Sequence, residues 1–266
     1  MRRTISLIAT MLLIGGSALT AQQNTFSLVP DWAKLPDGWV FGHPQGFPLP
    51  AERARIRAEA ERVRADLIAR GETPPPRRQN LQPGVSGVAV DRNDNVYAFH
   101  RGAHPILGFD SSGQFLRSGG DGITGKVPHF IEVDDDGYVW VVDEAAHRVL
   151  KFNHELTEVL LQIGITDEPA YDETHLDLPA DVDIASTGEI LIADGYGNKR
   201  IAKFAPDGTF IKQWGGGPQD ESTADGEFHL PHAVEIDQND KVYVLDRENR
   251  RIQMFCLLYT SPSPRD

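Results

Sequence analysis

The sequence predicts an all-β protein: a β-propeller with about four blades present in the chain and a helical insertion ahead of them. Three observations predict it. The middle of the chain repeats: "SGVAVDRNDNVYAFHRGAHPILGFD", "HFIEVDDDGYVWVVDEAAHRVLKFN", "ADVDIASTGEILIADGYGNKRIAKFA" and "HAVEIDQNDKVYVLDRENRRIQMF" close on Phe109, Phe152, Phe204 and Phe255, spaced 43, 52 and 51 residues apart. A period of that length marks a propeller or a solenoid. Each unit joins an alternating run to a short β-branched apolar run through a polar turn. Finally, 25 Gly and 18 Pro in 266 residues favour turns over long helices.

From the N-terminus, Arg2 and Arg3 precede an apolar run from Ile5 to Ile14 and small residues near Ala18 and Ala21. Residues 1–21 read as a secretory signal peptide, with an uncleaved membrane anchor as the competing reading. The run is short for a bilayer, so no stable membrane insertion and a secreted or periplasmic location are expected. Without Arg2 and Arg3 the formal charge moves from -13 to -15, which argues against a nucleic-acid partner. A monomer is expected.

Residues 22–50 form a lead segment, and residues 51–79 predict a basic amphipathic helix followed by a Pro-rich linker. Ile56, Ala60, Val63 and Leu67 share one helical stripe, and Gly71 with Pro74 to Pro76 ends it. The plain reading packs that stripe on the propeller; a lid or a membrane-surface helix are the others. The propeller is expected over 80–255. Residues 256–266, "CLLYTSPSPRD", resemble the translation of a sequencing-library adapter. Cys256 is the only cysteine, so no disulfide framework is expected.

Within each unit, alternation at Val88 and Val90, or Ile131 and Val133, predicts an inner strand with one buried face. The runs Val139 to Val142 and Ile190 to Ala193 predict strands buried on both faces. The segments "HPILGF", "HRVLKF", "KRIAKF" and "RRIQMF" predict the third strand, and "DSSGQFL" or "APDGTFI" a fourth, outer one; four antiparallel strands make a blade. Asp134, Asp135 and Asp136 before Gly137 have the composition of a structural Ca2+ loop, but the other units carry polar turns at the same place, which favours a hairpin turn. His104 and His147 recur five residues before Phe109 and Phe152 and read as repeat-specifying packing residues.

"VPHFIEVD" and "LPHAVEID" place His129 and His232 in the loop entering the inner strand of units two and four, where units one and three have Ser86 and Ala180. In a propeller that loop opens on the central channel. Two convergent neutral imidazoles suit zinc, and a catalytic zinc site takes three protein ligands and an open position; two structural histidines fit the same places. His229, three residues before His232, reads as a bystander, because the H-x-x-H spacing suits a helix face and this is a loop.

The four units are similar to NHL repeats, and "RGAHPILGF", "VPHFIEVD", "DGYGNKRIAKF", "LPHAVEID" and "DRENRRIQMF" together resemble the peptidyl-α-hydroxyglycine α-amidating lyase family, from about Ser86 to Phe255. The resemblance implies a six-bladed NHL-type propeller with zinc in its channel on three histidines. It implies His129 and His232 as the first two zinc ligands, Arg101 and Arg247 as the active-site arginines and Tyr196 as the catalytic tyrosine, with the third histidine in a sixth blade past the end of this chain. Where animal members have cysteines, Gly197, Tyr243 and Met254 stand here, so those disulfides are not expected.

The implied activity is zinc-dependent cleavage of the N–Cα bond of a peptidyl or N-acyl α-hydroxyglycine to an amide and glyoxylate. Tyr196 would act as base with its phenol pulled below about 10, and Arg101 and Arg247 would grip the substrate carboxylate. Each residue also has a plain reading: Tyr196 as a turn aromatic, Arg247 as a rim ion pair with Glu248, Arg101 as a turn residue. A non-catalytic propeller binding a protein, peptide or glycan through the same face shares the fold.

Overall fold

A computed structural model describes residues 29–39, 41, 62, 65–71, 84–217 and 222–256. The chain divides at Asp31–Trp32 into two units, and the fold below is that of the second. The proposed signal peptide, most of the basic helix and residues 257–266 lie outside the described residues; residue 62 and residues 65–69 are helical. Among the described residues no helix is long and apolar enough to cross a membrane.

Among the described residues fifteen strands form four antiparallel sheets. Sheet one holds β1 (Val85–Val90), β2 (Val96–His100), β3 (Ile106–Phe109) and β4 (Phe115–Gly119). Sheet two holds β5 (Pro128–Val133), β6 (Val139–Asp143), β7 (Arg148–Phe152) and β8 (Val159–Ile163). Sheet three holds β9 (Asp181–Ile184), β10 (Ile190–Asp194), β11 (Arg200–Phe204) and β12 (Phe210–Gly215). Sheet four holds β13 (Pro231–Ile236), β14 (Lys241–Asp246) and β15 (Arg251–Cys256). Within each sheet every strand pairs with the next in sequence, and the first strands β1, β5, β9 and β13 lie side by side. This is the predicted propeller arrangement, with four blades; β15 runs one residue past the expected boundary at Phe255.

The period-2 geometry of the second strands explains the cores. In β6, Val139 and Val141 face sheet one, whereas Trp140 and Val142 face sheet three, so every residue of the strand is buried and the sequence reads as an unbroken apolar run. β10 repeats this between sheets two and four, with Ile190 and Ile192 on one side and Leu191 and Ala193 on the other. Phe109, Phe152, Phe204 and Phe255, the repeat markers, are all buried; each removes a large apolar area from water, at about 25 cal/mol per Å2.

Sheet one corrects one expectation. Ile131 and Val133 are buried against sheet one, but Val88 and Val90 are exposed, and Ala89 between them is buried against sheet two. The same register turns the valines of β1 away from sheet two, toward a face that the described residues leave open over β1. Farther out on sheet one, Trp32, Ala33, Leu35 and Trp39 of the lead segment pack on Ala98, Leu107 and Phe109. Gly113 is required there, because a Cβ on it would fall 1.9 Å from the Trp32 carbonyl oxygen.

Two local devices recur. The acid run forms a hairpin turn: Asp134 Oδ1 accepts the N–H groups of Asp136 and Tyr138 at 3.1 and 2.8 Å, and Oδ2 accepts the Trp140 indole N–H at 2.9 Å; Asp91 and Asp237 hold the equivalent turns. At the next turn His104, His147, Lys199 and Arg250 all have φ between 54 and 57°. The recurring histidines therefore mark a left-handed backbone position that lysine and arginine also fill, and their rings make contacts besides: His104 stacks on Trp39 at 3.7 Å, and His147 Nδ1 accepts the Leu178 N–H at 3.1 Å. Across this turn Asp143, Asp194 and Asp246 pair with Arg148, Arg200 and Arg251 at 3.5, 2.9 and 3.0 Å, and each aspartate also accepts an N–H from the segment entering its blade.

Candidate active site

His129 and His232 are strand residues, not loop residues, and a β-bulge aims them. Pro128 pairs with Asp143 and Phe130 with the adjacent Val142, leaving His129 as the extra residue; Pro231 pairs with Asp246 and Ala233 with Leu245, leaving His232. Proline at the strand start has no N–H to lose from the ladder, and the bulge turns the following side chain out of the pleat. Ser86 is the bulged residue of β1, so one backbone device presents different side chains.

The two imidazoles converge, with ring centroids 5.2 Å apart, and Tyr196 stands between them. Its oxygen is 3.1 Å from His129 Nε2 and 2.9 Å from His232 Nε2. Arg247 donates Nη1–H to the same oxygen at 3.3 Å, with its guanidinium carbon 5.3 Å from the ring. The protons can be assigned by counting donors. His129 gives Nδ1–H to the Ala180 carbonyl at 2.6 Å, so its Nε2 is bare and accepts the single phenol proton; His232 then supplies Nε2–H to the phenol oxygen.

Glycines flank this tyrosine because the chain has no room for side chains there. A Cβ on Gly195 would lie 1.9 Å from the Pro231 carbonyl oxygen, and one on Gly197 would lie 2.2 Å from the Asp177 carboxylate. Arg101 donates Nε–H to the Pro128 carbonyl at 3.2 Å and lines, with Ser86, His129, Phe130, Asp181 and His232, a cavity of about 400 Å3. Arg247 also makes the ion pair of its plain reading, with Glu248 at 2.9 Å. His229 gives its main-chain N–H to Asp246 and is not a lining residue of the cavity.

Burial and two guanidiniums set the electrostatics. Burial, reinforced by the charges of Arg101 and Arg247, lowers the pKa of His129. Burial, His129 and Arg247 bring His232 down to about 4. Both rings are therefore neutral at pH 7. With no metal in the site, burial raises the Tyr196 phenol, and the hydrogen bond from Arg247 and the two arginine charges only partly oppose that. Glu144, in the 3₁₀ turn Glu144–Ala146, is a site residue that sequence reasoning missed. It is buried, with its pKa raised by burial, and its Oε2 lies 3.9 Å from His129 Nε2. A signal was available, because the residues just after the second strand of the units are Arg101, Glu144, Gly195 before Tyr196, and Arg247; one column of the repeat supplies the rim of the site.

The donor set fits a borderline metal in kind. Both Nε2 atoms point at one place; His129 offers its Nε2 bare, with Nδ1–H held by a main-chain carbonyl in the outer-shell manner that fixes a ligand's tautomer, and His232 would offer its Nε2 in the tautomer protonated at Nδ1. Among the described residues no third histidine, cysteine or carboxylate completes a cluster with them.

The NHL repeat family matches residues 176–204. The chain is 37% identical over 204 residues to the Rattus norvegicus peptidylglycine alpha-amidating monooxygenase, an alignment covering 66% of this chain and 21% of that protein. It is 30% identical over 195 residues to a Caenorhabditis elegans protein named probable peptidyl-alpha-hydroxyglycine alpha-amidating lyase, covering 64% of this chain and 55% of that one. Among solved structures, a streptogramin B lyase superposes with a TM-score of 0.50 at 16% identity, covering 65% of this chain and 51% of that chain, a likeness of fold alone. The chain thus has relatives named as amidating lyases and carries an NHL repeat, and it spans about a fifth of the rat relative and about half of the nematode one.

Proposed function

We propose that this chain carries the active site of a carbon–nitrogen lyase that cleaves a peptidyl or N-acyl α-hydroxyglycine to an amide and glyoxylate, with Zn2+ held by His129 and His232. The observation that carries the reading is the meeting of His129, His232 and Arg247 on the Tyr196 oxygen beside an open cavity. The same proposal takes the protein to be exported behind residues 1–21 and to act as a monomer.

The guanidiniums of Arg101 and Arg247 bind the substrate carboxylate and hold the α-carbon near Tyr196. Zinc, when bound, supplies Lewis acidity that makes the α-hydroxyl a stronger acid. Tyr196, as phenolate, accepts the hydroxyl proton. The O–H electron pair becomes the carbonyl π bond of glyoxylate, the N–Cα pair leaves with nitrogen, and nitrogen takes up a proton to become the amide. No electron is gained or lost overall. Burial raises the phenol, and positive charge brought to the site would act in the opposite direction.

The test is metal analysis of the purified full gene product together with glyoxylate release from a synthetic peptide ending in α-hydroxyglycine. Stoichiometric zinc and zinc-dependent glyoxylate release are expected. Protein that is folded, free of zinc and silent toward the peptide overturns the reading and leaves a binding propeller.

A further inference from the structure

The blades are joined to one another asymmetrically. The free edge of β13, the side not paired with β14, carries the N–H groups of Val234 and Ile236, and no strand ladder reaches them. Two carboxylates of β9 do: Asp181 Oδ2 accepts the Val234 N–H at 2.9 Å and Asp183 Oδ2 accepts the Ile236 N–H at 2.6 Å. The other oxygens of the same carboxylates accept the N–H groups of Val182 and Ile184 at 2.9 and 2.7 Å. Sheets three and four are therefore stitched at their inner strands by side chains. The equivalent residue of sheet two, Glu132, accepts the N–H of its own neighbour Val133 at 3.0 Å, and β1 has Gly87 and Ala89 at the corresponding places.

Asp181 adjoins the residue that orients the first histidine. Its preceding carbonyl, Ala180 C=O, holds His129 Nδ1–H at 2.6 Å, and its carboxylate holds the main chain two residues past His232. A single dipeptide of β9 and its approach thus touches both imidazole-bearing strands. The bulges on β5 and β13 aim the histidines, while the packing of the blades and the links across them set how far apart the two rings stand.

We propose that Asp181 is a positioning residue for the two-histidine site: its carboxylate sets the place of β13 relative to β9, and through that the separation of His232 from His129 around Tyr196. The proposal rests on the zinc reading for its consequence, not for its geometry. Asp183 makes the same kind of link one pleat farther from the histidines, so it serves as the control that carries the structural role without the positional one.

The test compares Asp181→Asn with Asp183→Asn in the full protein. Asparagine keeps the volume but leaves one acceptor oxygen for two N–H donors. Outer-shell changes at metal sites weaken binding roughly 10–100-fold; Asp181→Asn is expected to weaken zinc binding by that factor in chelator competition, and Asp183→Asn to leave it unchanged. In the metal-free protein Asp181→Asn is expected to shift the His232 imidazole 15N resonances and to speed hydrogen exchange at the Val234 amide, while Asp183→Asn speeds exchange at Ile236 and leaves His232 in place. If Asp181→Asn does not fold, Asp181→Ser enters the same comparison. Equal effects of the two positions on His232 and on zinc overturn the proposal. If wild-type protein binds no zinc, the lyase reading falls, and the metal-free resonances still decide the role of Asp181.

Discussion

Sheets two and four have the same first strand as sheet one: proline or valine, a bulged residue, then a run whose register returns to the ladder. The bulged residue is His129 or His232 in the former and Ser86 in the latter, and Ala180 stands at the corresponding point of sheet three. The backbone device is shared and the chemistry is not. The repeat therefore supplies a scaffold position facing the cavity, and function is written by the side chain placed there.

Breaking that difference directly has the largest expected effect. His129→Ala or His232→Ala is expected to abolish zinc binding and glyoxylate release, a loss beyond the roughly 10–100-fold of an outer-shell change, whereas Ser86→Ala leaves metal content intact; metal analysis and turnover of the α-hydroxyglycine peptide read both. Next comes Tyr196→Phe. Removing a general base costs about 10²- to 10⁴-fold, so kcat should fall by that order with zinc retained, and an unchanged kcat would remove Tyr196 from the mechanism.

The same comparison sharpens the stability of the fold. Phe152→Ala, between sheets one and two, is expected to cost about 3–5 kcal/mol in urea unfolding. Val88→Thr, on the exposed face of sheet one, should stay within about 0.5 kcal/mol. Between these lies a pH effect. The position that is Ala89 in sheet one is Glu132 in sheet two and Asp183 in sheet three, and burial raises those carboxyls to about 7 and about 6. A raised folded-state pKa means that the folded chain binds the proton more tightly than the unfolded one. Their contribution to stability is therefore fully present below their ordinary carboxylate values and is lost as pH rises toward about 6 to 7. Glu132→Gln should flatten this part of the stability–pH curve from thermal melts, and Asp183→Asn should flatten its lower half.

Much of this was legible along the chain. The phenylalanine period, the polar turns and the doubly buried runs of β6 and β10 are local patterns, and the structure keeps each of them. The paired "PH" motifs showed which blades carry imidazoles, though not that a bulge presents them. The burial of β1 was misread, because Val88 and Ile131 have the same local pattern and differ only in what stands opposite. Glu144 and Asp181 escaped notice because nothing in their own neighbourhoods is unusual; their roles come from His129 and from Val234, which is 53 residues away from Asp181.

The sequence by itself determined the repeat, the strand alternation, the turns and the residue types available at each blade's inner end, since those follow from periods of two residues and from backbone preferences a few residues long. Only the tertiary structure decided that the Tyr196 oxygen lies within 3.1 Å of two imidazoles, that burial outweighs the arginines at that phenol, and that β9 stitches itself to β13. Those distances depend on how packed sheets splay from one another, which is set by side chains meeting across blades and is written in no single stretch of chain.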